Sequence, residues 1–170
     1  YKSMTQSTQR RNIVYALYPN ANGFGFVYLD SPRNLLDYGA VRINPISNRK
    51  VLERIKKSFD YLKPSIVIIQ DPDGNASRSG RRVNRLIDKI IAMANAEKLK
   101  VILYSRDQIR DVFEQFGAVT KYEISKVLLT EFKELELREP KKRKTWESES
   151  HNMPIFDALS LALTWYWLTD

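Results

Sequence analysis

Apolar positions recur along this chain first with a period of two and then with a helical period. Three extended segments come first, at about 12–18, 23–30 and 35–43. The first two, within "NIVYALYPNANGFGFVYLD", read as a hairpin around Asn20, Asn22 and Gly23. Gly23 and Gly25 stand beside aromatic residues and predict close backbone packing at a strand start. "SNRKVLERIKKSFDYL" then sets Val51, Leu52, Ile55, Phe59 and Leu62 on one helical face. "KPSIVIIQDPDG" is a continuous β-branched run between Pro64 and Pro72, which predicts a central strand covered on both faces.

The period of 3.6 returns through Val83, Leu86, Ile87, Ile90 and Ala94. "KVILYS" predicts another buried strand. A helix follows with Ile109, Val112, Phe113 and Phe116 inward and Gly117 at its end. Thr120 and Glu123 fit a capping box that opens a helix through Val127, Leu128 and Phe132. A charged loop leads to "PIFDALSLALTWYWL", with Pro154 at the first helical position. The order is βββ-α-β-α-β-α-α-loop-α.

This order predicts an α/β domain with a mixed central sheet of about five strands and helices on both faces. RNase H-like domains have it. Doubly wound dinucleotide folds begin βαβ and need a glycine-rich phosphate loop, which "YPNANGFG" does not supply. The chain has 170 residues, so residues 12–170 read as one domain and the polar, basic stretch 1–11 as a flexible arm. Hydrophobic residues make up 43%, enough for a core. No cysteine is present, which excludes disulfides, thiolate zinc sites and thiol nucleophiles and fits a cytoplasmic protein. No apolar run is long enough to span a bilayer. Lys and Arg outnumber Asp and Glu 28 to 20, a net charge of +8 that suits a polyanionic partner.

Two basic clusters sharpen that expectation. One is Arg78, Arg81, Arg82 and Arg85, entering a helix after the central strand. The other is Lys141, Lys142, Arg143 and Lys144, just before Trp146, a residue able to stack on an unpaired base. Either cluster is also compatible with a solvated basic face. The partner expected is DNA, branched or otherwise structured, or RNA, with no membrane. The aromatic end "TWYWL" offers a third reading, as a surface for a protein partner.

Four stretches together resemble a RuvC-like endonuclease of the RNase H-like superfamily, the group of the Holliday junction resolvases. They are "LYPNANGFGFVYL", "SIVIIQDP", "GAVTKYEI" and "KRKTWESESHNMPIFDALSLAL", and the resemblance covers nearly the whole chain. It implies Mg²⁺- or Mn²⁺-dependent phosphodiester hydrolysis, with two ions held about 4 Å apart by carboxylates from separate elements. It also leaves a homodimer open, because related resolvases work as dimers.

The resemblance implies four metal-binding positions. Tyr18 stands where the first strand should end in aspartate. Gln70 stands where the central strand should end in glutamate, followed by Asp71. Glu149, Ser150 and His151 compete for the third position, and Asp157 keeps the fourth. A phenol that titrates near 10 is no Mg²⁺ ligand at neutral pH, and an amide brings no charge. An active nuclease would therefore need a rearranged set of Asp71, Glu149 and Asp157, with Asp71 and Asp157 on metal and Glu147 as a further loop candidate. Strand alternation points Asp71 away from the Gln70 face unless a bulge turns it. Each acid also has a plainer reading. Asp157 suits the first turn of a helix, and Asp71 before Pro72 suits a turn. The alternative is a non-catalytic nucleic-acid-binding or protein-interaction module with no cofactor.

Overall fold

The computed structural model describes residues 12–72, 80–144, 146 and 149–169. The expected arm at 1–11, and the candidates Arg78 and Glu147, lie outside them.

The strands are β1 (Val14–Asn20), β2 (Gly23–Ser31), β3 (Asn34–Arg42), β4 (Ile66–Gln70) and β5 (Lys100–Tyr104). The helices are α1 (Asn48–Leu62), α2 (Arg81–Ala96), α3 (Arg106–Glu114), α4 (Lys121–Glu131) and α5 (Met153–Thr169), with a 3₁₀ helix at Lys133–Arg138. The expected element order is the one observed. The sheet runs β3-β2-β1-β4-β5, with β1–β2 and β2–β3 antiparallel and β1–β4 and β4–β5 parallel.

Strand alternation sorts the core into two layers. Val14, Ala16, Val27, Leu29, Ile66 and Ile68 face α3, α4 and α5. Tyr15, Leu17, Tyr28, Val67 and Ile69 face α1 and α2. β4 is covered on both sides, and its four residues Ile66, Val67, Ile68 and Ile69 are all buried. The α1 face is buried at Val51, Ile55 and Phe59, and the α2 face at Val83, Leu86, Ile87, Ile90 and Ala94. α5 is buried over its first three turns, Met153 to Thr164, which explains its uniformly apolar sequence. Among the described residues no helix is long and apolar enough to cross a membrane.

Three local expectations change. β5 is an outer strand rather than a buried one, and Leu103 is 38% exposed, because an apolar run does not encode a strand's place in its sheet. Phe116 is half exposed, since α3 ends at Glu114 and the ring packs past the helix on Trp167, centroids 5.3 Å apart. α5 begins at Met153, one residue before Pro154.

Candidate functional site

β1 and β4 run parallel, with Leu17 paired to Ile69, so their C-terminal ends lie side by side. Tyr18 follows Leu17 and Gln70 follows Ile69. Tyr18 continues the Val14–Ala16 side of β1, the side on which α5 packs. Across the hairpin Tyr18 pairs with Gly25. A Cβ at Gly25 would stand 2.2 Å from the Pro154 carbonyl oxygen. The missing side chain therefore lets the first turn of α5 sit directly on the sheet, and this brings Asp157 to the end of β1.

Asp157 is 4% exposed. Lys121 reaches it from the first residue of α4, a start fixed by the capping box of Thr120 and Glu123 that the sequence predicts. Lys121 Nζ donates to Asp157 Oδ2 at 3.2 Å, to Glu149 Oε2 at 3.2 Å and to Tyr18 Oη at 3.2 Å. Burial pushes the Asp157 carboxyl up to about 6; Lys121 opposes this, Glu149 adds to it and Arg106 opposes it. Burial works to lower the Lys121 ammonium, but Asp157, Tyr18 and Glu149 outweigh it and hold the group above its ordinary value. Burial, reinforced by Asp157, raises the Tyr18 phenol, while Lys121 opposes. The site is thus an ammonium set between two acidic side chains and a phenol whose ionisation is suppressed.

These groups border a cleft of about 660 Å³. Asp71 and Gln70 both line it. β4 ends at Gln70, and the backbone N–H of Asp71 donates to the Tyr104 carbonyl at 2.8 Å, which carries the bonding to β5 one residue past the strand. Asp71, Glu149 and Asp157 all border this one cleft. They still do not converge as ligands. Among the described residues no three His, Cys, Asp or Glu side chains group as a metal site. Two divalent ions need several carboxylate oxygens at about 2.0–2.1 Å for magnesium. The groups here are a phenol, an amide and an ammonium between two acids, and they do not fit that pair of ions. His151 is exposed, and Ser150 accepts from the Asn152 N–H at 3.3 Å in the turn before α5.

Arg106, Arg110, Lys121 and Arg143 line the same cleft. An adjoining groove of about 420 Å³ shares these four and adds Lys141. Arg106 and Lys121 are the first residues of α3 and α4. A cation in a first helical turn opposes the helix dipole, and two of them aimed into one cleft break a local rule in the way functional sites do. Arg106, Arg110 and Lys121 are not in the basic runs that the sequence pattern singles out. The signal for two of them was a basic residue directly after a Ser or Thr cap, "SRDQ" and "TKYE".

The predicted basic residues divide by position. Arg143 and Lys141 border the cleft and groove. Lys142, Lys144 and Trp146 are exposed, with Lys144 Nζ 5.3 Å from the Trp146 ring centroid. Arg81 is exposed beyond the cleft. Arg82 has structural partners: it donates to the Asn20 carbonyl at 2.8 Å and to Asn48 Oδ1 at 2.7 Å, tying α2 to the hairpin and to α1. The aromatic end of α5 is largely folded in, with Trp165, Tyr166 and Trp167 packed against the core.

No family model matches this sequence, and no curated protein matches it. Solved structures do match. RuvC of Thermus thermophilus in complex with Holliday junction substrate has a TM-score of 0.64 at 17% identity, over 92% of this chain and 94% of that one. A second Thermus thermophilus RuvC structure gives 0.64 at 16%, over 92% and 95%. The yeast mitochondrial Holliday junction resolvase Ydc2 gives 0.64 at 11%, over 92% and 78%. The mixed five-stranded sheet with helices on both faces, matched along its length by these structures, is the RuvC-like form of the RNase H-like fold.

Proposed function

We propose that this chain is a nucleic-acid-binding module that takes branched DNA on its basic cleft without two-metal hydrolysis. The observation that carries this reading is the convergence of Arg106, Arg110, Lys121 and Arg143 on one cleft at the C-terminal ends of β1 and β4. A phosphate backbone entering that cleft would meet cations supplied by α3, by α4 and by the loop before α5. The matched Thermus structure contains a Holliday junction, and a junction is accordingly the first substrate to try. Trp146, 77% exposed beside Lys144, is suited to stack on a base unpaired at a branch point.

The test is equilibrium binding to a four-way DNA junction, the corresponding duplex, single-stranded DNA and an RNA junction, across a salt series. The junction should bind tightest, with affinity falling linearly on a log–log salt plot. Binding that is absent, or insensitive to salt, would sink the reading and favour a protein partner. Sedimentation of the free chain and of the complex tests the homodimer open from the resolvase resemblance.

A second reading keeps the nuclease. Asp71, Glu149 and Asp157 border one cleft, which favours a rearranged catalytic set with Mg²⁺ or Mn²⁺. Under that reading the ammonium of Lys121 must leave before any ion enters.

A further inference from the structure

An ammonium has three protons to donate and no acceptor. Lys121 meets three oxygens, one each on Asp157, Glu149 and Tyr18, all at 3.2 Å. Its donors are matched one to one. The three partners come from separate parts of the fold: the end of β1, the loop before α5 and the first turns of α5. This is a cation held from several directions by oxygen ligands, with the cation covalently attached to the chain.

We infer that Lys121 is the resident cation of this cleft: it neutralises Asp157 and Glu149 in place of a divalent ion and excludes such ions from them. The spacing of 3.2 Å is a hydrogen-bonded ion pair, longer than the bonds Mg²⁺ or Ca²⁺ makes to oxygen. A divalent ion brought onto Asp157 would stand within a few ångströms of the ammonium in a desolvated site, where like charges repel strongly. The position costs the helix something, since the N-terminal dipole of α4 disfavours a cation there. The two acids supply the compensation. Tyr18 fits the same account: a phenol accepts the third proton without adding negative charge, whereas a third acid would leave the lysine overbalanced.

An incidental salt bridge and a resident cation differ in what happens when the ammonium is removed. Lys121→Gln leaves two facing carboxylates, and Mn²⁺ alone is the probe. The inference does not depend on nucleic-acid binding, so no nucleic acid enters the test. Free Mn²⁺ is followed by electron paramagnetic resonance, and melting temperature is recorded with and without roughly 10 mM MnCl₂. The native chain should leave the free Mn²⁺ signal unchanged and show no melting shift. Lys121→Gln should bind one Mn²⁺ in the millimolar range or tighter and gain roughly 2–5 °C. Adding Asp157→Asn to it should abolish both effects, and Lys121→Arg, which keeps a cation, should behave as native. Stoichiometric Mn²⁺ binding by the native chain that Asp157→Asn removes would overturn the inference, and this arm decides it even if Lys121→Gln fails to fold. A folded Lys121→Gln that ignores Mn²⁺ would overturn it equally.

Discussion

Tyr18 accepts a hydrogen bond from Lys121 across 103 residues of sequence, at 3.2 Å, and the ammonium stands 4.9 Å from the centre of its ring. The tyrosine at the expected first metal position is therefore one wall of a lysine cage. It explains why the substituted position is not merely a lost acid. The phenol, the amide of Gln70 and the ammonium together form a surface that carries less negative charge than a two-metal site and needs no ion to hold it.

The cage should be visible in stability. Lys121→Met leaves Asp157 buried beside Glu149 with no cation, so the carboxyl must either stay charged at a cost or take up a proton. Breaking a buried pair costs about 3–5 kcal/mol, and Lys121 keeps 28% side-chain exposure, which discounts the cost to about 2–4 kcal/mol at pH 7. Urea unfolding at pH 7 and pH 5 checks this. The loss should shrink at pH 5, where Asp157 can take up a proton and shed its charge.

The native chain should show the same carboxyl as a pH effect of definite sign. The folded value of Asp157, about 6, is raised above its unfolded value, near 3.8. The folded state therefore binds the proton more tightly, and stability from this group rises as pH falls from 7 toward 4. The amount is about 2 kcal/mol. Other carboxylates titrate in the same range, so the readout is the native stability minus that of Asp157→Asn at each pH. That difference should move in favour of the native chain on acidification and be flat above pH 7.

Basic residues should separate into two classes. Arg110→Ala removes a cation from the cleft; it should weaken junction binding about three- to tenfold and reduce the salt slope by about 1. Arg82→Ala should leave affinity within about twofold and cost about 1–2 kcal/mol of stability, because its guanidinium holds Asn20 and Asn48. Parallel binding and urea titrations of the two variants distinguish them.

Gly25→Ala tests the packing that places Asp157. The added methyl would meet the Pro154 carbonyl at 2.2 Å, and neither backbone can yield without displacing α5. The expected cost is about 3 kcal/mol. A thermal melt shows it, and a cost below about 1 kcal/mol would mean that α5 does not need this close approach.

The fold was readable because its signals are local. The β1 alternation, the α1 and α2 faces and the Thr120–Glu123 cap each lie within a few residues and agree with one another. β5 was misplaced because position in a sheet depends on partners elsewhere in the chain. The site was only half legible for the same reason. Asp157, Glu149 and Asp71 could be named from the family pattern. Lys121 could not, because its meaning lies in residues 36 and 103 positions away. Arg82 misled in the opposite sense: it sits in a basic run, yet the hairpin end and α1 use its donors.

The most direct test follows a labelled Holliday junction with the native chain in EDTA and in Mg²⁺ at matched ionic strength, recording affinity and strand breaks together. The expected result is salt-dependent binding that agrees within about twofold between the two conditions, with no nicked product. Nicking that requires Mg²⁺ or Mn²⁺ and disappears in Asp157→Asn would contradict it and restore a working nuclease.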